Sequence, residues 1–107
     1  MWSQRMTVIK HKYAALNVSD GNKKLSQLIG STDAFSVIRV QSNSAGAAIK
    51  IGDITLDTNN YGIKLTAGTA NVVVEFAIKD NKQSVDFAEN LYFLADADNC
   101  MFSIFAY

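Results

Sequence analysis

The side chains that most often carry catalysis are scarce in this sequence, which has one histidine, His11, and one cysteine, Cys100. Nucleophilic catalysis usually needs a base beside the nucleophile, most often a histidine. His11 lies between two lysines, which is typical of a solvated strand face, and Cys100 begins an apolar segment, where a buried thiol is expected. Because no partner for either side chain is visible, we expect no catalytic residues and no enzyme activity.

Metal and cofactor sites are not indicated either. One histidine and one cysteine cannot assemble a structural zinc site within the chain. The segment Asp96-Ala97-Asp98-Asn99 offers oxygen ligands for calcium, but it lacks the glycine and distal glutamate of a helix–loop–helix calcium site, so a turn between strands is favoured. Gly52-Asp53 belongs to no phosphate-binding pattern, and we interpret it as a strand bulge. We therefore predict no metal and no cofactor.

Charge argues against binding to nucleic acid or to an anionic membrane, because ten basic and ten acidic side chains cancel. The two halves differ, however. Residues 1–50 carry seven Lys and Arg against two Asp, and residues 51–107 carry three basic against eight acidic side chains. Opposite halves can pair internally, which we favour, or dock copies head to tail.

Neither a signal peptide nor a membrane helix is indicated, because no apolar run approaches the length that either requires. We expect the protein to be made and used in the cytoplasm, or released by lysis. One cysteine cannot form an internal disulfide and says little about the compartment.

Short runs rich in Val, Ile, Phe and Tyr, separated by Gly, Asn, Asp and Ser, indicate strands and turns. Only Lys23 to Ile29 is compatible with a helical turn. The predicted strands lie near residues 5–10, 12–18, 34–41, 47–51, 53–57, 62–66, 71–78, 84–87, 91–95 and 101–107. About ten short strands in one domain predict an all-β fold with two packed sheets, a single-domain antiparallel β-sandwich or a jelly-roll-like sandwich.

In two of these strands, the alternation of apolar and polar residues predicts which side chains face the core. Between Asn71 and Lys79 every second residue from Val72 is apolar, which predicts one core face. From Cys100 to Tyr107 both sets of alternate residues are mostly apolar, which predicts a strand covered on both faces. Turn residues at Asn59–Gly62, Thr66–Thr69 and Asp96–Asn99 predict successive hairpins.

Several short motifs follow one another from Phe35 onward. The strand Phe35–Gln41 and the turn Asn43–Gly46 precede a strand that ends in Ile51-Gly52-Asp53. A G-I-x-L-x-x-G turn begins at Gly62, and an L-Y-x-x-A-D strand begins at Leu91. In this order the chain resembles small β-sandwich structural proteins of tailed-bacteriophage virions, the head decoration or auxiliary capsid proteins. The resemblance covers about two-thirds of the chain and leaves residues 1–33 unmatched.

The resemblance implies a non-enzymatic capsid decoration protein that binds the outer surface of the major capsid protein shell and stabilises it. It places the protein on the virion surface, with assembly in the host cytoplasm, and implies a homo-oligomer, a trimer by analogy. Residues 34–107 would form the sandwich core, and residues 1–33 would form N-terminal strands or an arm of the same domain that docks on the capsid or on a neighbour. The interface residues expected on this basis are Met1, Trp2, Arg5, Lys10, Lys12, Tyr13 and Tyr61.

Two alternatives remain open at this point. Met1 and Trp2 can anchor an interface, or they can fold onto the protein's own core or stay disordered. The protein can also be a tail, baseplate or head-fibre module, or a carbohydrate- or receptor-binding β-sandwich. In the carbohydrate case exposed Trp2, Tyr61 or Tyr92 would stack on a sugar, and Tyr61 at a predicted hairpin tip is the best candidate.

Overall fold

The computed structural model describes residues 8–43, 47–66, 72–77 and 86–107. Their elements are β1 Lys10–Leu16, β2 Lys23–Lys24, α1 Leu25–Ile29, β3 Val37–Ser42, β4 Ala48–Gly52, β5 Ile63–Thr66, β6 Val72–Ala77, α2 Phe87–Asn90, β7 Tyr92–Ala95 and β8 Cys100–Ala106. A short 3-10 turn, Val18–Asp20, follows β1. The all-β prediction is confirmed, and α1 lies within the segment for which a helical turn was expected.

The strands form two four-stranded sheets. Sheet A has the order β1-β8-β3-β6, and sheet B has the order β2-β7-β4-β5. Pairing is antiparallel throughout these two sheets, with β1 against β8, β2 against β7, β3 against β6 and β4 against β5. The chain thus forms one long hairpin that is rolled so that successive strand pairs alternate between the sheets. This is the topology of a jelly roll, one of the two sandwich forms that the sequence predicts.

The hydrophobic core lies between the two sheets. Sheet A contributes Ile38 and Val40 of β3 and alternate residues of β8, and sheet B contributes Ile49 of β4 and Phe93 of β7, all with at most 1% exposure. The rings of Phe93 and Phe102 stack across the interface at 5.6 Å between centroids. Stacked rings at this distance contribute stability beyond that of their buried area, so this pair stabilises the packing of one sheet on the other.

The residues before position 34 take part in both sheets. β1 pairs with β8 along its whole length, from Lys10 opposite Ala106 to Leu16 opposite Cys100. β2 pairs with β7 in sheet B, and Leu25 at the start of α1 is fully buried. The described part of the N-terminal region is therefore integral to the sandwich, and no boundary falls near residue 33.

Of the three predicted hairpins, the one at Asn59–Gly62 is confirmed, because β4 and β5 are consecutive and paired. The other two are wrong, because β5 and β6 lie in different sheets, as do β7 and β8. The Asp96–Asn99 turn thus carries the chain across the sandwich. Gly52 ends β4 in regular register opposite Tyr92, so it is not a bulge. A Cβ at Gly52 would meet Leu56 Cδ1 at 3.2 Å, so close packing of the following loop explains the glycine.

Local polar contacts explain the other differences. The predicted strand 53–57 is a turn, because Asp53 Oδ1 accepts hydrogen bonds from the amide and the hydroxyl of Thr55 at 2.8 and 2.6 Å. In the predicted strand 84–87, helix α2 begins at Phe87, after Asp86 caps it by accepting from the Glu89 amide. The predicted strands 5–10 and 12–18 are replaced in the described residues by the single strand β1.

Candidate functional site

The outer face of sheet A exposes several large apolar side chains from neighbouring strands. In β8, Phe102 and Ile104 point into the core, so the alternate side chains point outward. Register places the outward side chains of neighbouring strands beside them. We call this surface the A face, and it comprises His11, Tyr13 and Ala15 of β1, Met101, Ser103 and Phe105 of β8, Arg39 and Gln41 of β3, and Val73 and Glu75 of β6.

Four large apolar side chains on the A face are exposed: Tyr13 (58%), Val73 (55%), Phe105 (43%) and Met101 (36%). The prediction that β8 is covered on both faces is therefore wrong, since only one of its faces is in the core. Isolated exposed apolar residues are normal, but a contiguous group across neighbouring strands is typical of an interaction surface.

A shallow groove crosses the centre of the A face, with a volume of about 270 Å³. Its walls are formed by Arg39, Gln41, Val73, Ser103 and Phe105. Arg39 Nε lies 2.7 Å from Glu75 Oε1, and both side chains are about half exposed. This ion pair fixes the guanidinium beside the ring of Phe105, which is the cross-strand neighbour of Arg39. The groove thus presents an aromatic ring and an oriented cation together.

Two polar side chains of the A face, Gln41 and Ser103, are linked through Asn43. Gln41 Nε2 donates to Asn43 Oδ1 at 3.0 Å, and Asn43 Nδ2 donates to Ser103 Oγ at 2.6 Å. The Tyr13 hydroxyl contacts Met101 Sδ at 3.1 Å. Because burying an already bonded polar group costs less than burying an unbonded one, covering these bonded side chains carries a reduced desolvation penalty.

The edge strand β1 carries two further basic side chains, which point away from the A face. Lys10 and Lys12 are exposed, although they alternate with His11 and Tyr13 and so point to the same side as the buried Ala14. Charged side chains that point inward on an edge strand are a common protection against unwanted strand pairing. They add positive charge to the β1 edge, whereas Arg39 on the A face is paired with Glu75.

Some of the residues that the sequence predicts for an interface lie close together in the structure, and one lies on the opposite side of the molecule. Lys10, Lys12 and Tyr13 lie together on β1, whereas Tyr61 lies in the β4–β5 loop on the outer side of sheet B. Met1, Trp2 and Arg5 are outside the described residues. Sequence reasoning missed Arg39, Val73 and Phe105. The polar Ser103 between Met101 and Phe105 was the available signal that this side of β8 faces water.

A second cluster lies on the outer side of sheet B, around the buried Lys50. Its Nζ donates to the carbonyl of Thr58 at 2.6 Å, pairs with Asp96 Oδ1 at 3.2 Å and lies 4.9 Å from the centroid of the Tyr61 ring. The hydrogen bond from Lys50 lowers the pKa of the Asp96 carboxyl, helped by the nearby Lys64. This cluster holds the β4–β5 loop against the sheet.

Reactive chemistry is not assembled in the described parts of the chain. Burial raises the pKa of Cys100 to about 11, with a smaller contribution from Asp96, so its thiol is protonated and a poor nucleophile. His11 is exposed opposite Phe105. In residues 8–43, 47–66, 72–77 and 86–107 no group of three His, Cys, Asp or Glu is placed to hold a metal ion.

The turn considered for calcium makes protein contacts instead: Asp96 binds Lys50, and Asp98 Oδ1 accepts from the Val18 amide at 3.0 Å. Among the described residues, no helix has the length and apolarity needed to cross a membrane. Comparisons with protein-family models, with curated proteins and with solved structures find no match to this chain.

Proposed function

We propose that this chain is a non-enzymatic structural protein of a tailed-bacteriophage virion, a capsid decoration protein that binds the outer surface of the major capsid protein shell and stabilises it. The observation that carries the proposal is the A face, which exposes four large apolar side chains on a four-stranded sheet and bonds several of its polar side chains within the protein. The jelly roll is compatible with this role, since viral capsid domains use it. The sequence motifs between Phe35 and Asp96 supply the virion context.

The partner surface that fits this side of the protein offers apolar side chains to the A face and acidic side chains beside the β1 edge. Tyr13, Phe105 and Val73 need an apolar counterpart, while Lys10 and Lys12 on the β1 edge favour carboxylates. Many copies on one shell stabilise it by mass action, so each contact can be modest. Such a role needs an extended exposed surface rather than a deep pocket, and the A face is the surface that we assign to it.

The proposal is tested by mixing the protein with expanded capsid shells that lack it and measuring co-sedimentation and thermal stability of the shells. We expect saturable binding at a fixed ratio to capsid protein and a raised shell melting temperature. Phe105→Lys and Val73→Lys should abolish binding without unfolding the protein, because both side chains are substantially exposed. Circular dichroism verifies that each variant is folded.

Ile54→Lys is the matched control, because Ile54 is the most exposed large apolar residue of those described and lies on the sheet B side. It should bind shells like the unmodified protein. Binding that survives both A-face substitutions would refute the assigned surface. Absence of shell binding by the folded protein would refute the decoration role and favour a tail, baseplate or head-fibre module.

Homotrimer formation belongs to the same proposal and rests on the resemblance alone. Light scattering after size-exclusion chromatography measures it directly, on the protein alone and on protein released from shells. A trimer in either sample supports it, and a monomer in both contradicts it.

A further inference from the structure

The loop that joins β4 to β5 encloses a pocket on the outer side of sheet B, away from the A face. Its volume is about 240 Å³, below the roughly 300–1,000 Å³ typical of pockets for drug-sized ligands. The walls are formed by Gly52, Asp53, Thr55, Leu56, Asn60, Tyr61 and Gly62. A pocket of this size accepts one small ring.

Hydrogen-bond acceptors line one side of this pocket. The loop is fixed through Asp53 Oδ1, which accepts twice from Thr55, and through Asn60 Nδ2, which donates to the carbonyl and the hydroxyl of Thr55 at 3.0 Å each. These bonds leave the second oxygen of Asp53 and the amide oxygen of Asn60 for a ligand. The hydrogen bonds from Thr55 also lower the pKa of Asp53, so its carboxylate is ionised at neutral pH.

Tyr61 provides an aromatic surface, with 44% of the side chain exposed. The ammonium group of Lys50 lies over the ring at 4.9 Å from its centroid, and Lys50 is itself held by Asp96 and Thr58. This cation–π contact restrains the ring before any ligand arrives. An aromatic ring that is already oriented loses little conformational entropy on binding.

The loop backbone is anchored as well. Leu56 is buried, and its carbonyl accepts from Asn22 Nδ2 at 2.6 Å. The Gly62 amide donates to the Ile51 carbonyl at 3.0 Å, and Asp57 and Asn60 bridge each other through their backbones. The loop is thus held by contacts to two other segments, at Asn22 and at Ile51 of β4, and by one bridge within itself.

We propose that this pocket binds a single neutral pyranose ring of a glycan. The ring stacks on Tyr61, and two of its hydroxyl groups donate hydrogen bonds to the side-chain oxygens of Asp53 and Asn60. A sugar fits because it combines an apolar ring face with several hydroxyl donors. The ionised Asp53, with Asp57 on the same loop, disfavours uronic and sialic acids. The inference is independent of capsid docking, since the A face lies on the other sheet.

The test is a titration of the ¹⁵N-labelled protein with methyl α-D-glucopyranoside, methyl β-D-galactopyranoside and methyl α-D-mannopyranoside, followed by NMR. At least one should cause saturable shifts confined to residues 52–62, with a dissociation constant of about 1 mM, as expected for so small a ligand. Sodium glucuronate should cause none. The absence of saturable shifts with all three neutral glycosides overturns the proposal.

Substitutions identify the contacts. Tyr61→Leu keeps apolar bulk over Lys50 but removes the aromatic face, and it should weaken binding at least about tenfold, a loss within the range for aromatic contacts. Tyr13→Leu is the matched control on the opposite sheet and should leave sugar binding unchanged. Unchanged binding by a folded Tyr61→Leu variant rejects the pocket as the site. The proposal of capsid binding is tested at Phe105, so it does not depend on the outcome of this experiment.

Discussion

Two buried polar side chains, Ser42 and Lys50, are accommodated differently by this fold. Lys50 has a carbonyl, a carboxylate and an aromatic ring around its ammonium group, so its charge is compensated. Ser42 is fully buried, and its hydroxyl has no hydrogen-bond partner among the described residues. An unbonded buried hydroxyl lowers stability, whereas a satisfied buried ion maintains a local structure.

We expect Ser42→Ala to raise the free energy of unfolding by about 1 kcal/mol, because the substitution removes an unsatisfied polar group. Urea denaturation measures the change. Ser103→Ala is the matched control, since the Ser103 hydroxyl accepts a hydrogen bond from Asn43. The control should lower stability slightly, and an equal effect of both substitutions would contradict this explanation.

The Lys50–Asp96 pair makes stability depend on pH. The folded-state pKa of Asp96 is lowered from its ordinary value of 3.8, chiefly by the hydrogen bond from Lys50. The stabilisation is therefore fully present above that ordinary pKa and is lost as the pH falls through the lowered one. Asp96→Asn should lower the free energy of unfolding by about 2 kcal/mol at pH 7, because it leaves the ammonium of Lys50 without a counter-ion. It should also weaken the dependence of that free energy on pH in the acidic range.

Measurement of unfolding free energies between pH 7 and pH 2 tests this expectation. Asp33→Asn serves as the control, because Asp33 is exposed and its side chain is bonded only to the nearby Ser31. A similar loss at pH 7 from both substitutions would show that Asp96 does not act through Lys50.

The Cys100 thiol should react with iodoacetamide only after unfolding. It is fully buried, and its pKa of about 11 leaves almost no thiolate at pH 8. Mass spectrometry after labelling in buffer and in denaturant measures the difference. Rapid labelling of the native protein would show that β8 opens frequently.

At the scale of elements, alternation in the sequence was a good guide to strands but a poor guide to what covers them. It located β3, β6 and β8 and the inward side chains of β6, such as Val74 and Phe76, which pack on the core. It failed at residues 53–57, where β-branched residues favour a strand but Asp53 forms a local turn. Nothing local could reveal that the outer side of β8 has no covering layer, because that depends on distant strands.

The same limit applies to the candidate sites. Lys12 and Tyr13 were predicted because they belong to the basic N-terminal region, and Tyr61 because it lies at a predicted hairpin tip. The groove residues Arg39, Val73 and Phe105 come from three strands, and only the register brings them together. Such sites are invisible until the pairing is known.

The inward-pointing lysines of β1 should keep this edge from pairing with other molecules. We expect Lys12→Val to increase self-association, because it removes a charge from an exposed strand edge. Sedimentation velocity over a range of concentrations measures it. Lys12→Glu retains a charge at the position and should behave as the unmodified protein, and association by both variants would show that charge is not the cause.

For the whole molecule, both sheets contribute to one core, so we expect the sandwich to unfold as one cooperative unit. The fold class was predictable because the sequence contains about ten strand-like runs, and a single open sheet of so many strands could not bury both of its faces. The order of strands was not, since each pairing other than β4 with β5 links segments that are far apart in sequence.

Phe102→Leu should therefore weaken both sheets equally, by about 1–2 kcal/mol, since Phe102 stacks on Phe93 of the opposite sheet. Native-state hydrogen exchange of amides in β3 and β4 measures the two sheets separately. Equal losses of protection confirm one cooperative unit, and a loss confined to sheet A would indicate independent sheets.

The pairing of β1 with β8 also determines when the protein can fold during its synthesis. Lys10 lies opposite Ala106, so sheet A is incomplete until the ribosome has released β8. Until then β1 has no partner in its own sheet and its apolar residues are open to chaperones or to other nascent chains. Contacts between such distant residues also slow folding. We therefore expect the sandwich to close only after β8 has been synthesised.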